Sequence, residues 1–344
     1  LYSTEKEKAR FVILKRKIWI PILGLTIALA ACGNSGGKAK ESTVSETTEK
    51  AEAKESENAE SSEKSEKNEE TVKETENSAE VGESDAPISK AKLKLKYSNL
   101  VDAETRERVE AALKNAGLKE DKIKSFFAAV DEYNNAVGKE NLVQEMTTID
   151  AGFPSLDSDK LVDAWLDKGG YVGRNCRITA FSLMGDFITV GNPTPGETTM
   201  LFSDFDAISA KKIFTGEAKK NYDTVFSYID VENTKDTAVL SADIVQSWKE
   251  KEISFHNDKM HMISVFMTMD DGLNKVQEFI GHVGVLVQDG DKFLFIEKLA
   301  FELPYQVDEF SSLQEVNDYL MGYYDKDADG LTAKPVIFQD GEVM

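Results

Sequence analysis

Three residues of this chain, Cys176, His282 and Glu297, are of the types that together perform thiol chemistry. A cysteine is nucleophilic as its thiolate, an imidazole can take the thiol proton, and a carboxylate can orient that imidazole. The three residues therefore predict a nucleophile at Cys176, a general base at His282 and an orienting carboxylate at Glu297.

The surroundings of Cys176 favour the thiolate. Asn175 precedes the cysteine and is a preferred N-cap residue, so Cys176 is predicted to open a helix. The free N–H groups and partial positive charge of a helix N-terminus stabilise S⁻ relative to SH. Arg174 and Arg177 add positive charge beside the thiol. The backbone N–H of Cys176 is a candidate donor to an oxyanion hole.

His282 and Glu297 are predicted to meet on two paired strands. Apolar runs over 282–288 and 292–301 are joined by Asp289-Gly290-Asp291, and Asp-Gly between two such runs is a strong hairpin signal. With the tip near 290, His282 begins its strand and pairs near 298, about one position from Glu297. Adjacent strands lie about 5 Å apart, close enough for the carboxylate to hold the imidazole.

A non-catalytic alternative accounts for the same residues. Cysteine is among the most buried residue types, so Cys176 could pack as a small hydrophobe. His282 could be a core histidine with satisfied hydrogen bonds, and Glu297 could cap a loop or pair with Lys298. Both interpretations stay open at the level of the sequence.

The elements that must position these residues are helices first and strands later, which is typical of an α+β domain. Helical patterns occur over 102–117, 120–135, 158–167, from 176 onward, 209–228 and 242–250, and strand patterns over 92–97, 253–256, 260–269, 282–288 and 292–301. The alternation over 92–97 is typical of a half-buried edge strand. We expect a single α+β domain over residues 88–344.

The N-terminal residues have the features of an export signal. Lys15-Arg16-Lys17 precedes an apolar run over 18–31, whose 14 residues are fewer than the roughly 20 that span a bilayer. Leu29-Ala30-Ala31-Cys32-Gly33 resembles the lipobox of bacterial lipoproteins, where the cysteine receives a diacylglycerol. We expect a signal peptide over 1–31, with translation starting near residue 14, and a lipid anchor on Cys32 at the extracytoplasmic face of the cell membrane.

A polar segment follows that anchor. Between residues 33 and 87 there is no Leu, Ile, Phe, Trp, Tyr or Met, and residues 38–86 hold 16 acidic and 7 basic residues. Such a segment buries too little apolar surface to offset its ordering entropy, so 32–87 is predicted to be a disordered acidic tether. Residues 88–344 carry a net charge of −16, from 28 basic and 44 acidic residues, which argues against nucleic acid as a partner.

The arrangement around the cysteine resembles the papain-like thiol hydrolases, in particular the NlpC-type cell-wall peptidases. In these the cysteine opens a helix on an antiparallel sheet, the histidine comes from a strand often reading His-Val-Gly, and the next strand supplies the third polar group. The matching stretches are Asn175-Cys176, Gly281–Val285 and Phe295–Lys298, although Asn-Cys-Arg-Ile replaces the usual Asp-Cys-Ser-Gly and the Cys–His gap is wide. The resemblance implies a papain-like fold and an enzyme activity that cleaves an amide bond in peptide or cell-wall material.

The chain also resembles an uncharacterised family of bacterial surface lipoproteins, the domain-of-unknown-function family 4300. The similar stretches are Tyr97–Leu100, Asn175–Arg177, Gly281–Leu286, Phe295–Leu299 and Pro304–Gln306. This family implies no activity. Two functions are therefore expected, a membrane-anchored thiol hydrolase or, as the alternative, a non-catalytic lipoprotein that binds a ligand or partner on the same scaffold.

A weaker pattern lies near the C-terminus. Asp325, Asp327, Asp329 and Gly330 match the first half of a calcium loop, with carboxylates at positions 1, 3 and 5 and glycine at 6. Position 12 should be a bidentate Glu but is Val336. A solvated acidic turn explains the same residues, and calcium stays an alternative. No other cofactor is expected.

Overall fold

The computed structural model describes residues 94–150, 152–270 and 275–344 of the chain. The predicted signal peptide, Cys32 and the acidic tether lie outside these residues. The described part combines helices with antiparallel strands, so the α+β class predicted from the sequence is confirmed. None of the described helices is long and apolar enough to cross a membrane.

Most helices lie close to their predicted positions. They are α1 (Ala103–Asn115), α2 (Glu120–Val137), α3 (Ser158–Lys168), α4 (Cys176–Met184), α5 (Phe202–Lys211), α6 (Gly216–Phe226), α7 (Thr237–Glu250) and α8 (Leu313–Tyr324), with 3₁₀ turns at Lys139–Asn141, Gly185–Phe187 and Thr199–Leu201. Asp102 caps α1 by accepting a hydrogen bond from the backbone N–H of Thr105 at 2.7 Å. The pattern over 209–228 is two helices, because Lys212 adopts a left-handed conformation (φ 51°) that ends α5.

The strands form one large antiparallel sheet and a small ribbon. They are β1 (Leu95–Ser98), β2 (Thr147–Ile149), β3 (Ile188–Val190), β4 (Ile229–Asp230), β5 (Ile253–Phe255), β6 (Met260–Asp270), β7 (Val276–Asp289), β8 (Lys292–Lys298), β9 (Tyr305–Phe310), β10 (Val336–Gln339) and β11 (Glu342–Val343). The sheet order is β11-β10-β6-β7-β8-β9-β1-β2, β4 pairs with β7, and β3 pairs with β5. The predicted edge position of β1 is wrong, since β1 lies between β9 and β2. The Thr-Thr-Ile of β2 is too short and too polar to have been predicted as a neighbouring strand.

The β7–β8 hairpin is present where Asp289-Gly290-Asp291 predicts it. The strands pair up to Asp289 and Lys292, and Gly290 has a positive φ of 65°, which a residue without a Cβ adopts at low cost. β7 begins at Val276, however, so His282 lies inside the strand and not at its start as predicted. The polar residues and glycine that precede His282 interrupt the apolar pattern and hide this part of the strand.

The sheet is buried on both faces. One face carries the larger hydrophobic cluster, which includes Trp165 of α3, Phe226 of α6 and Trp248 of α7. The other face carries a smaller cluster around Tyr319 and Leu320 of α8. Strands covered on both faces show continuous apolar runs instead of strict alternation, as β7 does after its histidine. Helix α4 packs on the larger-cluster face over β7 and β8, which brings the thiol helix to the histidine strand.

Candidate active site

Cys176 is the first residue of α4. Asn175 is the N-cap in an extended conformation, and its side-chain oxygen accepts a hydrogen bond from the backbone N–H of Ile178 at 2.9 Å. The cap and the helix start are therefore as predicted. The N–H of the first helical residue has no acceptor within the helix, so the N–H of Cys176 is available to a ligand. Only 6% of the cysteine is exposed.

A buried aspartate fixes this end of the helix. Asp204 of α5 is fully buried and accepts hydrogen bonds from Nε and Nη2 of Arg177, both at 2.8 Å. It also accepts from Asn175 Nδ2 at 3.0 Å and from the Tyr222 hydroxyl at 2.5 Å. Arg177 donates further to the carbonyl of Ile280 on β7 at 3.2 Å. Sequence reasoning missed Asp204, whose only signal is a single acidic residue between apolar positions of a helix.

His282 lies beside a β-bulge in β7. Val265 of β6 pairs with His282 and Phe266 pairs with Ile280, so Gly281 has no partner on β6. A bulge bends its strand and changes the direction of the neighbouring side chains, and such irregularities occur often beside active sites. The imidazole is 98% buried, with 2% of the residue exposed.

Glu297 of β8 holds this imidazole. Val285 pairs with Ile296 in the hairpin, and this register places residue 299 opposite His282. Glu297 is two residues from position 299, so its side chain lies on the same face of the sheet as that of His282. Glu297 Oε2 lies 2.5 Å from His282 Nε2. Cys176 is the other group that acts on the ring, and its interaction with the imidazole raises the pKa of His282. The structure thus brings the three residues selected from the sequence into one row, with the imidazole of His282 between the carboxylate and the thiol.

The three groups shift one another's pKa. Burial acts to raise the pKa of the Cys176 thiol, but the hydrogen bond and charge of His282, helped by Arg177, outweigh it and lower the pKa. Burial acts to lower the pKa of His282, whereas its hydrogen bonds to Cys176 and Glu297 raise it to about 10. Burial also acts to raise the pKa of Glu297, which His282 nevertheless lowers. All three shifts favour the charged forms of the row, which are thiolate, imidazolium and carboxylate.

A second buried carboxyl group adjoins Glu297. Asp308 of β9 is fully buried and accepts a hydrogen bond from Gln306 Nε2 at 2.8 Å, and the same amide donates to Glu297 at 3.3 Å. The Tyr319 hydroxyl donates to Glu297 at 2.6 Å. Burial and the charge of Glu297 raise the pKa of Asp308 well above its ordinary value, which favours the neutral acid form of Asp308 beside Glu297.

Asp308 and Tyr319 were missed at the level of the sequence. The available signal is the alternation of Gln306 and Asp308 around Val307, which places two polar side chains on one strand face directly after Tyr305. A hydrophobic strand with a polar pair facing inward is unusual unless a buried partner is present. That partner, Glu297, is on the neighbouring strand β8.

Lys298 does not pair with Glu297, so this form of the non-catalytic alternative is wrong. Its ammonium donates to the carbonyl oxygens of Ala300 at 2.8 Å and Phe301 at 3.3 Å, and also to that of Leu303. Burial lowers the pKa of Lys298 well below its ordinary value. Lys298 therefore holds the loop between β8 and β9, and Glu297 is left to the histidine.

The site is closed in this structure. The ring of Tyr324, at the end of α8, stacks on the imidazole of His282 with centroids 4.9 Å apart and planes inclined by 21°. Tyr324 is also within electrostatic range of Cys176. Two surface clefts, of about 400 Å³ and about 320 Å³, lie elsewhere and are not lined by the thiol or the imidazole.

The acidic loop after α8 is organised around Asp327. Its carboxylate accepts hydrogen bonds from the Thr332 hydroxyl at 2.8 Å and from the backbone N–H of Asp329 at 3.1 Å, and Asp325 is the C-cap of α8. Within residues 94–150, 152–270 and 275–344, no group of three or more His, Cys, Asp or Glu is placed to hold a metal ion. The three aspartates of the calcium pattern are not gathered as ligands.

The sequence profile of one family, described as a domain of unknown function (DUF4300), matches residues 96–344. The chain belongs to the DUF4300 family. The matched range contains all three residues of the thiol row and confirms the family resemblance found in the sequence. No curated protein and no solved structure matches the chain. The DUF4300 description assigns no activity, so the chemistry has to be argued from the site itself.

Proposed function

We propose that the DUF4300 domain of this chain is a thiol hydrolase that cleaves an amide bond. The observation that carries the proposal is the buried contact of 2.5 Å between Glu297 and His282, beside the thiol of Cys176 at the start of α4. Burying a row of ionised groups costs desolvation energy that apolar packing does not require. Strongly perturbed groups of this kind cluster at functional sites.

The geometry supports a two-step acyl transfer. The Cys176 thiolate attacks the substrate carbonyl carbon, and the oxyanion accepts a hydrogen bond from the N–H of Cys176. The imidazolium of His282 gives its proton to the leaving amine as the C–N bond breaks, which leaves an acyl group on sulfur. His282 then takes a proton from water, the hydroxide attacks the thioester, and the thiolate leaves. Glu297 stays ionised and keeps the ring oriented.

The arrangement of elements supports a papain-like, NlpC-type scaffold. A helix that starts with the cysteine lies on an antiparallel sheet, and consecutive strands supply the histidine and the carboxylate. With a lipid on Cys32, the domain would be held at the extracytoplasmic face of the membrane, where cell-wall peptides are the available amide substrates. This part of the proposal is tested by fatty-acid labelling and membrane partition, which Cys32→Ser should abolish.

A second candidate function is a binding lipoprotein without catalysis. The observation that favours it is the closure of the site, in which Cys176 is 6% exposed and His282 2% exposed. A hydrolase has to admit its substrate to the thiol, whereas a binding protein does not.

Amide cleavage separates these candidates. The purified full chain is incubated with mixed peptides and with cell-wall fragments, and newly released amino groups are counted. The wild type should release amines, Cys176→Ala should release none, and the rate should fall above about pH 10, where His282 loses the proton that the leaving amine needs. Fragments that bind equally to the wild type and to Cys176→Ala, with no release from either, would favour the binding lipoprotein.

A further inference from the structure

Arg174 lies two residues before the nucleophile and has no carboxylate partner in the part of the chain that the structure describes. The other arginines of the described residues are each paired, Arg106 with Asp131, Arg108 with Asp289 and Glu309, and Arg177 with Asp204. For Arg174, no ion pair is formed with any residue in 94–150, 152–270 or 275–344, and its Nε is buried without a hydrogen-bond partner. In a domain with an excess of acidic residues, an arginine without a carboxylate is unexpected.

The neighbours of Arg174 do not neutralise it. Its neighbour Tyr171 is a neutral group. The carboxylate closest to that tyrosine is Glu132, which accepts from the Tyr171 hydroxyl at 3.3 Å. Glu132 is itself paired with Lys211 at 2.5 Å. The positive charge of Arg174 is therefore left for a group that residues 94–150, 152–270 and 275–344 do not supply.

The other cations around the thiol are already committed. Arg177 is bound through two nitrogens to Asp204. Lys298 donates to backbone carbonyls and is deeply buried. A two-residue separation places the Cα atoms of Arg174 and Cys176 at most about 7 Å apart. The guanidinium of Arg174 can therefore reach a group of the substrate that lies one residue away from the amide attacked by Cys176.

We propose that Arg174 binds a carboxylate of the substrate, so that the amide cleaved at Cys176 lies within one residue of a free carboxylate. A planar guanidinium binds carboxylates through paired hydrogen bonds, which selects for anions and fixes their orientation. This inference rests on the proposed thiol hydrolase and names its substrate class, an acidic or C-terminal residue next to the scissile bond. The negative field of the rest of the chain repels anions, so the local cation would provide selectivity as well as attraction.

Two alkylating reagents of nearly equal size test the inference without a known substrate. Iodoacetate and iodoacetamide react alike, the sulfur bonding to the CH₂ carbon as iodide leaves, but only iodoacetate carries a carboxylate. In the full chain with Cys32→Ser, Cys176 is the single thiol. The rate of its alkylation by each reagent is divided by the rate at which the same reagent alkylates a small free thiol. The ratio of the two rates cancels any change in thiolate population, because both reagents use the same thiolate.

Arg174→Gln should lower the iodoacetate-to-iodoacetamide ratio at least about threefold, the range of a partly exposed ion pair. Arg174→Lys keeps the positive charge and should retain most of the wild-type ratio. Lys124→Gln removes an exposed charge from α2 and should leave the ratio unchanged. A ratio unaffected by Arg174→Gln would overturn the carboxylate inference and leave the hydrolase standing. A Cys176 that neither reagent modifies in the native protein would overturn both.

Discussion

Replacing His282 with alanine removes the cation that stabilises the Cys176 thiolate. Both groups are buried, so their attraction is weakly screened by water. Opposite unit charges about 4 Å apart attract by about 4 kcal/mol at an effective permittivity of about 20. Water that enters the vacated space will screen part of this energy, and we take about half, or about 2 kcal/mol, as lost. That loss corresponds to a fall of about thirtyfold in the thiolate population at a pH below the thiol pKa.

The assay is the rate of Cys176 alkylation by iodoacetamide between pH 5 and pH 9, in the Cys32→Ser background. Loss of a cation raises the pKa of a neighbouring thiol, so the profile of His282→Ala should move to higher pH. At pH 6 its rate should be about thirtyfold below the wild type, and the two should converge once both thiols are ionised. His261→Ala is the matched control, because His261 pairs with Asp340 at 2.7 Å and does not contact the thiol.

Superimposable profiles for the wild type and His282→Ala would refute this reasoning, since the imidazole would then contribute nothing to the thiolate. A similar loss in His261→Ala would show that the effect comes from general destabilisation of the sheet.

Three further results are expected. Asp308→Asn keeps a neutral donor beside Glu297 and should preserve the pH profile of Cys176 alkylation. Asp308→Leu leaves buried polar groups unpaired, so it should lower the free energy of unfolding by about 1–3 kcal/mol and slow alkylation. Equal behaviour of the two variants in denaturant titration and in alkylation would contradict the assignment of Asp308 as a neutral acid. Tyr324→Ala uncovers the imidazole, so it should raise the rate of Cys176 alkylation on the high-pH plateau without moving the midpoint of the pH profile. The control Tyr323→Ala should leave the plateau rate unchanged. A plateau rate that neither variant changes would show that Tyr324 does not limit access to the thiol. Millimolar calcium should leave the melting temperature unchanged, and a rise that Asp325→Ala removes would instead establish calcium binding.

Local signals predicted the parts of the site that depend on neighbouring residues in the chain. The helix start at Cys176 follows from Asn175, whose side chain can accept from a backbone N–H three residues on. The hairpin follows from Asp289-Gly290-Asp291, and its register then brings His282 and Glu297 together. In each case a short stretch contains both partners of the interaction or fixes the spacing between them.

Features that depend on distant parts of the chain were missed or mistaken. Asp204 reaches Arg177 from another helix, and Asp308 on another strand shares the Gln306 amide with Glu297, so no local spacing marks either arrangement. The bulge at Gly281 is a mismatch in residue pairing between β6 and β7, so the sequence of one strand alone does not reveal it.

Ultraviolet absorbance of the thiolate near 240 nm reports the ionisation of Cys176 without a reagent or a substrate, so it is the most direct measurement of the thiolate beside His282. The full chain with Cys32→Ser is titrated from pH 4 to pH 10, and the same chain with Cys176→Ser is subtracted as the blank. If His282 stabilises the thiolate, absorbance should already be present at neutral pH in the native protein, well below the usual thiol pKa of about 8.5, and should disappear at neutral pH on unfolding. Absorbance that develops only above about pH 9 in the native protein would contradict this stabilisation, since Cys176 would then be an ordinary buried thiol.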